Sequence, residues 1–339
     1  MLITTYNLQL AIGSAKELTP ELSPLLKKVR AIVGHYKHTS QAQERLDSYQ
    51  KVAGNTPLHL IQDIDTRWNS EYAMLRRLLE LREPITLDMA KHGSLVDCLT
   101  GTEWRIASDY VKVLKPLAEA TVEAEGEKYP TLSCQVPSLY CIFQSLKCVC
   151  DQDMTAEGKT FSTNVEKSLI TRFPDYNMDK DACIAMFCDP RYKTVIFRND
   201  SAREEWLKTV AQEQLNYADA GEYYGNEQEG GAVASSSLWA AFDTMAETQD
   251  QGNNPSKEIR AYIDDKTISR NADPCKWWKE MGQHKYPAVA RLARKYLAIP
   301  ATSASSERAF SAAGSVATPC RAALLPEHVR QLTFLHGNL

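Results

Sequence analysis

The chain has 339 residues, 43% apolar and 24% charged, with a net charge of −4. This length allows about two domains with a sizeable core, which need no metal or disulfide to hold them together. Nine cysteines without a CxxC pair exclude a disulfide framework and favour a reducing compartment. With neither a signal-peptide pattern nor 18 consecutive apolar residues, the sequence predicts a protein that is neither secreted nor membrane-bound.

The spacing of apolar residues predicts a mainly α protein. They recur three and four positions apart through most of the first 220 residues, and strand-like alternation is rare. Pro84 should interrupt one helix, Pro116 should kink another, and Cys134, Cys141 and Cys148 should share a buried helix face as small hydrophobic residues. The predicted helices span residues 24–33, 72–81, 103–122, 133–150, 161–173 and 200–218.

The later part of the chain consists of an acidic stretch followed by a basic one. Residues 213–258 carry nine acidic residues against one basic residue and include a Gly/Ser-rich run, so we expect an acidic flexible linker at 222–258. Residues 259–339 carry twelve Lys or Arg against six Asp or Glu, which makes this region locally basic. A basic face there can contact phosphates although the whole chain is acidic.

Three helices are predicted near the C-terminus. One begins at Pro287, a second covers the small residues 301–314, and a third begins at Pro326. The last is more apolar than one small neighbour can cover, which indicates a partner. Glu307 lies in the middle helix, where it is either an ordinary surface carboxylate or a metal ligand. Two-metal chemistry requires several converging carboxylates, and the sequence around Glu307 supplies no others.

Three motifs in order resemble those of hAT-superfamily transposases, in the branch associated with BED zinc fingers. Residues 66–70 read TRWNS, residues 189–193 read DPRYK, and residues 303–311 read SASSERAFS. The last lies in a stretch that resembles the family's C-terminal dimerisation region and continues through 324–335. The resemblance covers nearly the whole chain.

The resemblance implies an RNase H-like core interrupted by a helical insertion, with a C-terminal segment that dimerises. We therefore expect an incomplete RNase H-like remnant at 1–20, a helical insertion domain at 21–221, the linker at 222–258 and the dimerisation region at 259–339. It further implies that Glu307 is the third acid of a DDE triad and that Trp68 assists the handling of DNA hairpins. Because the triad is incomplete we expect Glu307 to be vestigial, and a DNA-binding function would use Arg67 and Trp68 as DNA-contact candidates. The expected dimerisation residues are Val289, Leu292, Tyr296, Phe310, Leu325, Val329, Leu332, Phe334 and Leu335.

The departures from the family pattern indicate lost catalysis. Ile3 and Tyr6 stand where the family's CxxHxLxL segment has its Cys and His, no BED finger is present, and we expect the chain to begin after the first two catalytic aspartates. The predicted function is thus self-association of an inactive, transposon-derived protein, as a homodimer in the nucleus. No cofactor, membrane or small-molecule substrate is expected. The alternatives are a DNA-binding regulator, or an active transposase using Mg²⁺.

Several motif residues also have purely structural interpretations. Trp68 can be a buried anchor between helices, and Arg67 can pair with Asp63 or Asp65. Asp189, Arg191 and Lys193 can be a cap and solvated charges at a loop. For an active enzyme, Asp63, Asp65 or Asp189 would have to replace the missing aspartates.

Overall fold

The structure is a computed structural model that describes residues 5–64, 67–92, 96–126, 129–150, 153–222, 255–316 and 324–338. It is 77% helical. No strand occurs in those ranges, so the mainly α prediction is confirmed. No described helix is both long enough and apolar enough to cross a membrane. Contacts divide the chain into two compact units, which are described separately below.

The N-terminal unit comprises residues 3–123 and 138–174. Helix α1 packs along α8, and α3 packs against α2 and α5. The core contains the apolar stripe of α2, where Leu25, Leu26 and Val29 are buried as its spacing predicts. The helices are α1 (Thr5–Glu17), α2 (Leu22–His38), α3 (Ser40–Val52), α4 (Trp68–Glu80), α5 (Arg82–His92), α6 (Gly101–Ala124), α7 (Gln135–Cys150, whose first turn clusters with the other unit) and α8 (Ala156–Arg172).

The C-terminal unit comprises residues 124–137 and 175–339. At its centre lies α9, whose side chains from Ala182 to Cys188 are all buried, packed against α10 and α14. The helices are α9 (Lys180–Cys188), α10 (Ser201–Glu222), α11 (Pro255–Asp264), α12 (Pro274–Trp277), a π-helical turn (Trp278–Gly282), α13 (Gln283–Lys285), α14 (Pro287–Tyr296), α15 (Ala304–Val316) and α16 (Pro326–Asn338).

Two details of the predicted helices are wrong. Pro84 does not interrupt a helix but lies in the first turn of α5, where its missing N–H is not needed, and α4 has already ended at Glu80. Cys141 and Cys148 are exposed, whereas Cys134 is buried. The buried face of α7 is formed by Val136, Leu139, Ile142 and Leu146 instead.

The units divide the chain differently from the domains expected from the sequence. Helix α1 lies inside the expected core remnant 1–20, yet it packs on α8 as part of a helical unit. Helices α9 and α10 lie in the expected insertion but cluster with the C-terminal helices. Residues 223–254 of the expected linker lie outside the described residues.

Candidate functional site

The C-terminal helices α15 and α16 pack against each other and carry large exposed apolar side chains. Phe310 of α15 is 77% exposed and Phe334 of α16 is 67% exposed. Leu325, Leu332 and Leu335 are exposed as well, and Val329 is partly exposed. Single exposed apolar residues are ordinary on a protein surface, but a cluster on two neighbouring helices is typical of an interaction site. We call this set of six residues the apolar C-terminal surface.

Helix α16 buries none of its side chains from Pro326 to Leu335. Leu332 and Leu335 are one turn apart on one side of the helix, while Phe334 projects from another side, so apolar groups face water in more than one direction. In α15, Val316 is the one buried side chain among those described. An isolated helix of this length is marginal in water, and most helical stability comes from packing of an apolar face. The two helices therefore lack the burial that ordinarily stabilises such elements.

Three of the expected dimerisation residues are not available to a partner. Val289, Leu292 and Tyr296 are buried in the C-terminal unit's own core, on the face of α14 that packs against α9 and α11. The Tyr296 hydroxyl donates to Gln214 Oε1 at 2.9 Å. The sequence pattern identified an apolar stripe correctly, but periodicity cannot distinguish a stripe covered within the chain from one left for a partner.

Glu307 is exposed in the first turn of α15. Its Oε1 accepts a hydrogen bond from Ser303 Oγ at 2.8 Å, and its backbone N–H donates to the Ser303 carbonyl. Within the described ranges, no three His, Cys, Asp or Glu side chains come together in a way that can hold a metal ion. In this arrangement Glu307 acts as a surface carboxylate held by a local turn.

The Asp189, Arg191 and Lys193 side chains of the DPRYK motif are buried, so the interpretation of these charges as solvated is wrong. Asp189 does occupy a cap position, at the C-terminal end of α9. Asp189 is fully buried and accepts two hydrogen bonds from the Arg191 guanidinium, at 2.9 and 2.7 Å. Ser133 Oγ donates to the same carboxylate at 2.7 Å. Burial of Arg191 disfavours its charge, but the hydrogen bond and charge of Asp189 outweigh this and raise the guanidinium pKa. The pair joins the turn after α9 to residues 132–134.

Lys193 extends the same motif to the end of α11. Its ammonium donates to the carbonyl oxygens of Tyr262 and Asp265 at 2.6 and 2.8 Å, and lies 4.5 Å from the centre of the Tyr262 ring. A cation at the C-terminal end of a helix satisfies carbonyls that have no partner within the helix. Burial lowers the pKa of Lys193 to about 8. The motif is thus a structural connection between α9 and the C-terminal region.

The carboxylate of Asp265, whose backbone carbonyl accepts from Lys193, makes the stability of the fold depend on pH in the acid range. Its hydrogen bonds from Lys285 and Tyr286 lower its pKa from 3.8 to about 2, although burial opposes this. The Asp265 carboxylate binds a proton more tightly in the unfolded chain than in the folded one. Its contribution to the free energy of unfolding is therefore present above pH 3.8 and is lost as the pH falls to about 2.

When the pH is lowered from 5 to 2, the free energy of unfolding should fall less in Asp265→Asn than in the wild type. The difference between the two falls should be about 1–2 kcal/mol after allowance for solvent screening. The free energy of unfolding, followed by circular dichroism in urea across this pH range, measures it. The exposed neighbour Asp264 gives a matched control, since Asp264→Asn should keep the wild-type profile. Identical profiles for the two variants would contradict the assignment to Asp265.

The two DNA-contact candidates differ in accessibility. Trp68, at the start of α4, is 6% exposed, and its backbone N–H donates to Gln9 Oε1 at 3.0 Å. Its ring therefore anchors α4 and is not open to stacking by a base. Arg67 is exposed. Asp63 pairs with Arg30 at 2.7 Å, and Asp65 lies outside the described residues.

Sequence reasoning missed the buried polar network around Glu71. This carboxylate accepts hydrogen bonds from Lys16 at 2.6 Å, Arg30 at 3.1 Å and the Tyr110 hydroxyl at 2.6 Å. Lys16, Arg30 and Tyr110 lie far from Glu71 in the chain, and no local pattern marks them as partners. The network ties α1, α2, α4 and α6 together.

Comparisons with known proteins match both parts of the chain. The hAT family C-terminal dimerisation region matches residues 258–339, and the ZBED1 RNase-like helical domain matches residues 15–113. The human "Zinc finger BED domain-containing protein 4" is 21% identical over 99% of this chain and 29% of its own length. A Zea mays protein named as an AC transposase is 25% identical over 94% of this chain and 42% of its own.

The Arabidopsis thaliana "Zinc finger BED domain-containing protein DAYSLEEPER" is 27% identical over 80% of this chain and 39% of its own length. The chain thus spans less than half the length of these relatives. The matches cover α15 and α16, which carry the apolar C-terminal surface, and the helices around Glu71. Over most of its length the chain is thus similar to zinc finger BED domain proteins and AC-type transposases, and its residues 258–339 match the hAT family's C-terminal dimerisation region.

Proposed function

We propose that this chain functions as a non-catalytic, transposon-derived protein that associates with a second copy through the apolar C-terminal surface. The observation that carries the proposal is the exposure of Phe310, Phe334 and their leucine neighbours on two helices with almost no buried side chains. Burying a Phe or Leu side chain contributes about 1.5–3 kcal/mol, so pairing of these residues stabilises both helices and the dimer. The match of 258–339 to a dimerisation region supports the same conclusion.

The solution mass tests this proposal. We expect light scattering after size exclusion to give twice the mass of the 38.1 kDa chain at micromolar concentration, and a fall toward the single-chain mass on dilution. A mass of one chain throughout the micromolar range would contradict self-association.

Two aspartate carboxylates that form ion pairs with arginines support a non-catalytic role. Asp63 and Asp189 are the described members of the set of aspartates that the sequence offers as candidate metal ligands, and each is held by an arginine, Arg30 and Arg191 respectively. Metal-dependent phosphoryl transfer requires carboxylates free to converge on cations about 4 Å apart. We therefore expect no Mg²⁺-dependent nicking of supercoiled DNA by the purified chain. Nicking that disappears in Glu307→Gln would overturn this part of the proposal.

DNA binding is the second candidate function, favoured by exposed cations on the C-terminal unit. The side chains of Lys276 and Lys285 are 69% and 51% exposed, and Arg294 and Lys295 are exposed on α14. If these residues follow a phosphate backbone, affinity should fall by orders of magnitude between 50 and 200 mM salt. Fluorescence anisotropy with duplex DNA measures this, and flat or absent binding would eliminate the function. Nuclear location accords with it and is tested by imaging the tagged chain.

A further inference from the structure

A cavity of about 300 Å³ opens in the C-terminal unit between the π-helical turn and α14. Its apolar wall consists of Trp278, Ala290, Ala293 and Leu297, all buried or nearly so. The Trp278 indole N–H donates to the Cys188 carbonyl at 2.9 Å, which fixes the ring in the wall. The cavity is at the lower end of the range for ligand sites, large enough for one or two apolar side chains.

The π-helical turn that forms one side of the cavity is a specialised element. Single π turns are rare and occur frequently at functional sites. Gly282 ends this turn, where a Cβ would lie 2.4 Å from the Trp277 ring and 2.5 Å from the Trp278 ring. Glycine is therefore required for the two tryptophans to pack as they do, and their packing shapes the cavity.

Charge at the cavity is of one sign. The residues that line it in the described part of the chain include Lys279 and Arg294 and no carboxylate. Gln283, also at the cavity, accepts a weak hydrogen bond from the Arg294 guanidinium at 3.4 Å, so these two lining side chains are in contact. A cationic edge beside an apolar wall complements a ligand with a carboxylate next to an apolar group.

We propose that this cavity binds an acidic peptide segment, with an aromatic or leucine side chain against Trp278 and Leu297 and a neighbouring carboxylate between Lys279 and Arg294. The proposal is independent of self-association, because none of the cavity residues belongs to the apolar C-terminal surface.

A labelled peptide with the sequence of residues 236–250, SSLWAAFDTMAETQD, is a probe of this chemistry, since it combines aromatic and acidic residues. We expect it to bind the full chain with micromolar affinity in a fluorescence anisotropy titration. Its affinity should fall at least tenfold in the double variant Lys279→Glu/Arg294→Glu. Lys295→Glu, an exposed change outside the cavity, should bind as the wild type does. Ala298→Trp should also weaken binding at least tenfold, because it fills the cavity from an exposed position.

Cysteine alkylation locates the bound peptide. Cys275 lines the cavity and is exposed, whereas Cys141 and Cys148 are exposed elsewhere. We expect saturating peptide to slow alkylation of Cys275 by maleimide several-fold and to leave Cys141 and Cys148 unchanged, as read by mass spectrometry. Absence of binding, equal binding by the double variant, or equal rates at Cys275 with and without peptide would each overturn the proposal.

Discussion

Replacing Asp189 by alanine is expected to destabilise the C-terminal unit by about 3–5 kcal/mol, because it leaves the buried Arg191 guanidinium without its counter-charge. The substitution also removes the acceptor of Ser133 Oγ, so a second buried polar group loses its partner. Urea unfolding followed by tryptophan fluorescence measures the change. Trp278 reports on the affected region because its indole N–H donates a hydrogen bond to the backbone carbonyl of Cys188, the residue before Asp189.

A surface ion pair in the same unit supplies the control. Lys180 and Glu213 lie 3.8 Å apart with side chains 45% and 53% exposed, so Glu213→Ala should change stability by less than about 1 kcal/mol. If Asp189→Ala were as stable as Glu213→Ala, the view of DPRYK as a structural connection would be wrong.

Replacing Phe310 and Phe334 together by glutamate is expected to convert the dimer into a monomer. Each ring contributes about 1.5–3 kcal/mol if it is buried on association, and the new charges oppose burial, so the dissociation constant should rise at least about 100-fold. Sedimentation equilibrium over a concentration series measures that constant. Because association stabilises α15 and α16, the helical content of the monomer should fall by no more than the share of these two helices, while the other helices remain folded.

The matched control places the same charges on the same helices. Ser311 and Gln331 are exposed polar residues of α15 and α16, so Ser311→Glu/Gln331→Glu adds two negative charges without removing an apolar group. This control should weaken association far less than the phenylalanine variant. Equal weakening by both pairs would indicate that charge alone, and not apolar burial, determines association.

The sequence predicted the helices whose apolar spacing is regular or whose ends are marked, which are α2, α4, α6, α7, α8, α10 and the three C-terminal helices α14, α15 and α16. No helix was predicted at α1, α3, α5, α9 or α11. The stripe of α2 and the starts of α14 and α16 at Pro287 and Pro326 depend on interactions within a few residues. The exposed residues of α16 were also predicted, since so apolar a short helix exceeds what one neighbour covers.

The remaining features depend on contacts between residues far apart in the chain. Arg30 rather than Arg67 pairs with Asp63, and Lys193 satisfies carbonyls of Tyr262 and Asp265, about seventy residues away. Charged residues in a loop motif are ordinarily solvated, so a single sequence favours that interpretation of DPRYK. The π turn likewise lacks a local sequence signal.

Hydrogen–deuterium exchange of the full chain at low and high concentration tests the central claim most directly. If α15 and α16 form the interface, amides of 304–316 and 326–338 should exchange more slowly at the higher concentration, while those of α1 and α8 exchange at the same rate in both samples. Concentration-independent exchange of α15 and α16, or new protection confined to the N-terminal unit, would contradict the claim.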